Sequence, residues 1–293
     1  MTARVRPLLA CGGVGATIIA GVLSINATAA PKTYAQEARS LVACEDPNNL
    51  PFSDQARDGF ENKIAALLAQ NLGTPLHDVW WAQRRGYVRN TLGAARCDIW
   101  LGVAGTPAGM IVTRPYYRST YEFVSRRDRA LAGLTLDDPR LKTLIVGVQM
   151  VGNDATNTPP AHALSERGIT QNVRGFMLYG DYRRPHPLSD IVDAVVSGSI
   201  DVGIVWGPAA GYFASRSRVP LRLERVTPQL DAQVWPMTFD IAIGVRKGEP
   251  ELRDEIDSIL EQHRAAIERI LDDYHVPRVD AASERNRESS AAL

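Results

Sequence analysis

The chain has 293 residues, 45% of them hydrophobic, with 33 basic and 33 acidic side chains and a formal charge of zero. That length supports substantial buried cores and two domains or one large one rather than a small module. Nothing in the balanced charge points to nucleic acid, although Arg84, Arg85, Arg89 and Arg96 cluster after a pair of tryptophans.

The first residues differ from the rest. Arg4 and Arg6 precede a mostly apolar, small-residue run over 8–22, and Ala27-Thr28-Ala29 supplies an A-x-A cleavage signal, so residues 1–29 read as a secretory signal peptide and the mature protein as periplasmic. A membrane anchor is the alternative, but the glycine-interrupted run is short for a span of about 20 apolar residues, and no stable membrane insertion is expected after cleavage. Cys11 sits in a lipoprotein-like box, with too little apolar sequence before it for export. Signal removal leaves 31 basic against 33 acidic residues and two cysteines, Cys44 and Cys97. In an oxidising compartment that pair is expected to form one disulfide, the alternative being two buried thiols.

The mature chain opens with a β-prone run, Leu41 to Cys44, that ends abruptly in Glu45-Asp46-Pro47-Asn48-Asn49. Parallel strands end this way where they deliver polar groups into a crevice. Asp46, Asn48 and Asn49 suit Asx-type turns, Pro47 fixes φ and Pro51 stops a helix, so the segment through Phe52 is a shaped loop. A helix follows over 58–72, with Asp58 as cap, Glu61 completing a capping box, and Phe60, Ile64, Leu67, Leu68 and Leu72 on one face. Next come a strand over 76–81, a helix over 87–95, a strand from Cys97 and a strand over 121–125.

The charged stretch over 126–129 reads as a crossing into a second unit. Strands over 142–149 and 173–179 alternate with helices over 160–167 and 188–197, and a buried strand over 201–206 stops at Gly207-Pro208. Strands over 221–226 and 238–245 follow, the latter returning to the first unit. One long helix runs from Pro250 to Tyr274, and the polar end over 280–293 is expected to be disordered. The predicted architecture is α/β with two lobes and mixed sheets flanked by helices: lobe 1 over 36–126 and 238–275, lobe 2 inserted over 127–237, and a hinge of two strands beside a cleft.

This layout resembles the two-lobed periplasmic binding proteins of type II, especially those for amino acids. The ligand positions depart from that group's pattern. Where its members carry an Arg to clamp the substrate carboxylate, residues 105–113 contain none. Where they place an Asp for the ammonium group, this chain has Trp206-Gly207-Pro208, and a Gly-Thr-Thr-type anion loop is replaced by residues 152–157. A free amino acid would leave both its charges unpaired, at a cost of several kcal/mol.

Six motifs in order match a narrower group: CEDPNNLPFS, GFENKIAALLAQNLG, WWAQRRGYVRNTL, CDIWLGV, TRPYYRSTYEFV and DVGIVWGPAAGYFA. They resemble the solute-binding-like proteins associated with quinoprotein dehydrogenases, the J-type components of methanol dehydrogenase systems. The resemblance implies an exported, non-enzymatic accessory protein for a pyrroloquinoline-quinone alcohol dehydrogenase, with the quinone and its metal in the partner enzyme and no cofactor here. The alternative is the receptor of an ABC transporter for a small neutral or acidic solute.

Cleft or partner contacts are expected from Asp46, Asn48, Asn49, Phe52, Trp80, Trp81, Arg84, Arg85, Tyr116, Tyr117, Arg118 and Trp206, because Trp, Tyr and Arg dominate protein interfaces. Of the adjacent tryptophans one is expected buried and one facing the cleft. Trp206 suits the cleft floor opposite Asp46 and Asn49. The five histidines have no metal-ligand spacing and no serine sits in a G-x-S-x-G context; Glu45 and Asp46 are the only obvious acids for a catalytic role, and no enzyme is expected.

Overall fold

The computed structural model describes residues 40–151, 157–178 and 184–280. The expected signal peptide, the expected disordered tail apart from Asp280, and most of the 152–157 loop lie outside the described residues. The first lobe begins with β1 (Leu41–Glu45), a short hairpin of β2 (Asn48–Asn49) and β3 (Ser53–Asp54), and α1 (Phe60–Asn71). Then come β4 (Leu76–Trp80), the single turn α2 (Tyr87–Asn90), β5 (Ile99–Ala104), β6 (Met110–Val112) and the long β7 (Tyr117–Arg126).

The cap of α1 is shifted one residue from the expected position. Gly59, not Asp58, is the N-cap, and Asn62 Oδ1 accepts the Gly59 N–H at 3.0 Å. Only glycine fits here, since a Cβ would lie 2.0 Å from the Phe52 carbonyl oxygen. The shift frees Glu61 from capping and turns it inward. Phe60, Ile64 and Leu68 bury completely against β1, β5 and the C-terminal helices. Truncating a buried Phe such as Phe60 typically costs about 3–5 kcal/mol.

The expected helix over 87–95 shrinks to α2 and a 3-10 turn at Leu92–Ala94. Thr91 leaves the helical region (φ −122°, ψ −95°) while its Oγ1 donates to the Tyr87 carbonyl at 2.7 Å. The chain is thereby turned toward Cys97, which is disulfide-bonded to Cys44 with a Cα separation of 5.5 Å.

The second lobe contains β8 (Val146–Gln149), α3 (Pro159–Glu166), β9 (Val173–Phe176), α4 (Asp190–Ser197), β10 (Val202–Trp206), α5 (Gly207–Arg216) and β11 (Leu221–Arg225). A hairpin of β12 (Leu230–Asp231) and β13 (Trp235–Pro236) precedes β14 (Thr238–Arg246), and α6 (Pro250–Gln262) and α7 (Arg264–Asp273) close the fold. Helix α5 was not anticipated: Gly207-Pro208 ends a strand, but proline in a first turn also starts a helix. The long C-terminal helix is divided at His263, where the apolar stripe lapses between Leu260 and Ile267.

One mixed sheet runs through both lobes in the order β4-β1-β5-β14-β7-β10-β8-β9, with β6 added to β14 and β11 to β7. Residues 117–120 of β7 pair with β14 on the first-lobe side, whereas residues 121–126 pair with β10 and β11. These two strands therefore carry the chain between lobes. Alternation explains the layers of the second lobe: Val202 and Ile204 enter one core with Phe123, and Val205 enters the other with Val124 and Ile191. In β5 the alternation breaks. Ile99 and Leu101 face α1, but at Gly102 (φ +76°) the register against β14 slips and Val103 joins the cluster around the disulfide.

Candidate functional site: a lobe-spanning cavity and its rim

The end of β1 brings four polar groups together. Asp46 is buried, and its carboxylate accepts the backbone N–H of Asn48 at 2.9 Å and of Gln83 at 2.6 Å. Its own N–H donates to Ser53 Oγ, whose hydroxyl donates back to the Asp46 carbonyl. Asn49 Nδ2 donates to Gln83 Oε1 at 2.9 Å. Asp46 is thus the peg on which the loops after β1 and β4 hang together. Burial pushes its carboxyl above the usual range, and the two N–H donors pull it back. Asn48 reaches across the lobes: its Nδ2 donates to the Arg184 carbonyl at 2.8 Å.

Behind this latch lies a cavity of about 380 Å³ lined from both lobes. Asp46, Asn49, Phe52 and Tyr117 line it from the first lobe, and Trp206 lines it from the second. Trp206 is half-buried, stacked edge-on between Tyr121 (5.3 Å) and Phe239 (5.8 Å), so it serves packing and cavity wall together. Leu178, Leu188, Ile191, Val205 and Ile241 add aliphatic surface.

The cavity's other acid was missed from the sequence. Glu61 lines it while only 6% exposed, and among the described residues no hydrogen bond or ion pair reaches its carboxyl. Burial, with a contribution from Glu45, raises it to about 8, so it is mainly protonated at neutral pH. Glu45 lies outside the lining; Asn62 Nδ2 donates to its Oε2, and burial followed by the neighbouring Asp78 raises it to about 8 as well. The acid that joins Asp46 at the cavity is therefore Glu61, not Glu45. The ambiguity lay in Gly59-Phe60-Glu61, where the capping-box reading absorbed the acid that lines the cavity.

The remaining expected contacts occupy two other places. A rim groove of about 810 Å³ is lined by Asn48, Trp80, Trp81, Arg84 and Arg184. Neither tryptophan is buried and neither reaches the cavity, contrary to the expected division, because β4 is an edge strand and both rings lie along the lip. Arg96 stacks over Trp81 with its guanidinium carbon 5.0 Å from the ring. Arg84 and Arg85 are exposed; Arg85 lines none of these hollows. Tyr116 and Arg118 line a third hollow on the back of the hinge, near α6 and α7, where Arg118 lies 3.6 Å from Asp240. Tyr117 alone of this trio also reaches the cavity, its ring edge-on to Phe60 at 6.0 Å.

Among the described residues lining the cavity there is no arginine or lysine, so none can clamp a carboxylate. None of the described residues forms a cluster of three or more potential metal ligands, and no described helix is long and apolar enough to cross a membrane.

No protein-family model matches the chain. Protein MoxJ of Paracoccus denitrificans is 30% identical over 257 residues, spanning 82% of this chain and 90% of that protein. Protein MoxJ of Methylorubrum extorquens is 32% identical over 249 residues, 81% and 80% of the two chains. Among solved structures, periplasmic binding protein XoxJ from Methylobacterium extorquens AM1 superposes with a TM-score of 0.67 at 35% identity, covering 82% of this chain and 99% of that one. MxaJ from Methlophaga aminisulfidivorans MPT gives 0.68 at 25% identity over 82% and 100%. An ancestral cationic amino acid solute-binding protein shares the fold alone, at 20% identity and a TM-score of 0.65 over 82% of this chain and 97% of that one. With these likenesses across four fifths of its length, the chain belongs to the MoxJ family and has the two-lobed fold of the periplasmic binding proteins.

Proposed function

We propose that this chain is an exported, periplasmic accessory protein of a methanol-oxidation system, whose cleft and rim accept part of a quinoprotein alcohol dehydrogenase. The observation that carries the reading is the rim groove: two half-exposed tryptophans beside exposed Arg84, at the lip of a cleft whose described lining has no basic side chain for an amino acid. Large rigid rings beside a guanidinium fork are what protein interfaces use as anchors. On this reading the pyrroloquinoline quinone and its metal ion belong to the dehydrogenase, and this chain performs no chemistry of its own.

Affinity capture of the tagged protein from the periplasm of a methanol-grown host tests it. The dehydrogenase is expected to be retained by the wild type and lost with Trp80→Ala combined with Arg84→Ala, and deletion of the gene is expected to lower dehydrogenase activity. Absence of the dehydrogenase from the wild-type capture, with activity intact after deletion, overturns the reading. A second reading, a receptor for a small solute, is favoured by the cavity itself, because its volume falls within the range of small-molecule sites.

A further inference from the structure

We propose that the cavity between the lobes is a binding site for a small organic cation, an ammonium group on an apolar alkyl or aryl body, with Glu61 as its charge partner. The inference concerns a small molecule in the cavity and stands apart from the assignment of the rim groove to a protein.

Three observations carry it. Glu61 is 94% buried and lines the cavity, yet its carboxyl has no hydrogen-bonding or ionic partner among the described residues. A buried polar group without a partner costs about 1–3 kcal/mol, and more when charged, so its occurrence at a cavity wall points to a partner supplied from the cavity. Second, the backbone is shaped around that carboxyl. Gly102 sits at the β5 bulge with φ +76°, and a Cβ there would fall 2.4 Å from Glu61 Oε1. The bulge thus places a residue without a side chain where the acid needs room. Third, the rest of the lining excludes the other charge class. Its described ionic groups are the two acids, and aromatic rings of Phe52, Tyr117, Tyr121, Trp206 and Phe239 surround the space. Ring faces attract cations and repel anions. An acidic solute, or the carboxylate of an amino acid, would meet Asp46 and Glu61 with no described cation to offset them.

The binding has a built-in signature. The groups facing Glu61 are Glu45 on β1, which raises it, and the hydroxyls of Tyr116 and Tyr117, themselves held well above their ordinary range by burial. None supplies a positive charge. Glu61 alone is therefore mainly protonated at pH 7; an arriving ammonium favours the carboxylate, and the displaced proton leaves to solvent. Affinity is expected to rise with pH toward about 8 and then level off.

The test is calorimetric titration of the purified mature protein with butylammonium and phenethylammonium, each beside the alcohol of the same skeleton, and with L-phenylalanine, in two buffers of different ionisation enthalpy. At least one amine is expected to bind about tenfold or more tightly than its alcohol. That binding should release a proton at pH 7, and phenylalanine should fail to compete. Glu61→Gln is expected to abolish the amine's advantage and the proton release while leaving alcohol binding in place. Equal or weaker binding of both amines relative to their alcohols overturns the proposal, as does an unchanged preference in Glu61→Gln; should that variant not fold, the wild-type preference and proton count decide. Dehydrogenase capture is a separate measurement, so either reading can fail alone.

Discussion

Replacing Glu61 by glutamine should alter stability in a way that depends on pH, and the sign follows from the burial of the carboxyl. The group titrates near 4.5 in an ordinary environment and near 8 in the fold. Below pH 4.5 both folded and unfolded chains hold the proton, and Glu61 carries no penalty. As pH rises between these values the unfolded chain releases the proton and the folded chain keeps it, so the wild type loses stability at up to about 1.4 kcal/mol per pH unit. Glutamine cannot ionise in either state. Relative to wild type, Glu61→Gln should therefore gain nothing at pH 4.5 and about 3 kcal/mol by pH 7. The unpartnered amide adds a cost of about 1–3 kcal/mol that does not vary with pH, so the slope rather than the absolute difference is the readout. Denaturant unfolding of both proteins at pH 5, 6, 7 and 8 measures it. A stability difference that stays flat across that range would refute the burial argument, because it would mean that Glu61 ionises as freely in the fold as in the unfolded chain.

Three further perturbations address the frame of the site. Replacing Cys44 and Cys97 together by serine opens a loop of 53 residues and should cost about 4 kcal/mol in the chain-entropy account, read as a lower denaturant midpoint; an unchanged midpoint under oxidising conditions would exclude the bond. Gly59→Ala drives a Cβ to 2.0 Å from the Phe52 carbonyl oxygen and should cost about 1–3 kcal/mol or more, with Phe52 displaced from the cavity wall; a melting temperature equal to wild type would show that the loop yields freely. Asp46→Asn leaves one acceptor oxygen for two backbone N–H donors and should cost about 1–2 kcal/mol, with faster amide exchange at Asn48 and Gln83; unaltered exchange would deny Asp46 its organising role.

Much of this architecture was legible because its signals are local and redundant. The continuous apolar run of Val202 to Trp206 and the apolar stripe of α1 each have only one satisfactory packing, and Gly73 marks the helix end by the positive φ it adopts. The failures have physical causes as well. Helix α5 was hidden because Gly207-Pro208 is compatible with both an end and a beginning. The break at His263 follows no proline or glycine, only an interruption in the buried stripe. Glu61 was misassigned because a cap one residue earlier would have used it, and the choice between Asp58 and Gly59 is made by a contact with Phe52 that only the folded loop contains. Tyr116 and Tyr117 could not be separated from sequence either: one faces the back of the hinge and the other also reaches the cavity because β7 begins between them.

The separation of the expected contact residues into cavity, rim and hinge back also changes what the loop after β1 does. Its residues divide by chemistry: Asp46 is consumed by backbone donors, Asn48 bridges to the opposite lobe at Arg184, and Asn49 and Phe52 face inward. The same short segment therefore closes the lobes and forms part of both the cavity lining and the rim groove. Asn48 and Arg184 both line the groove beside Trp80 and Arg84, so a partner seated there is expected to disturb the contact between them. A partner that pries the rim apart should then lower the Glu61 titration toward its ordinary value and weaken any cation held in the cavity. Linkage requires the reverse as well: a bound cation that holds the lobes together must weaken a partner that needs them open, by the same factor. Measuring capture of the dehydrogenase with and without a cavity-binding amine gives that coupling directly, and equal capture in both conditions would show that the cavity and the rim act as independent sites.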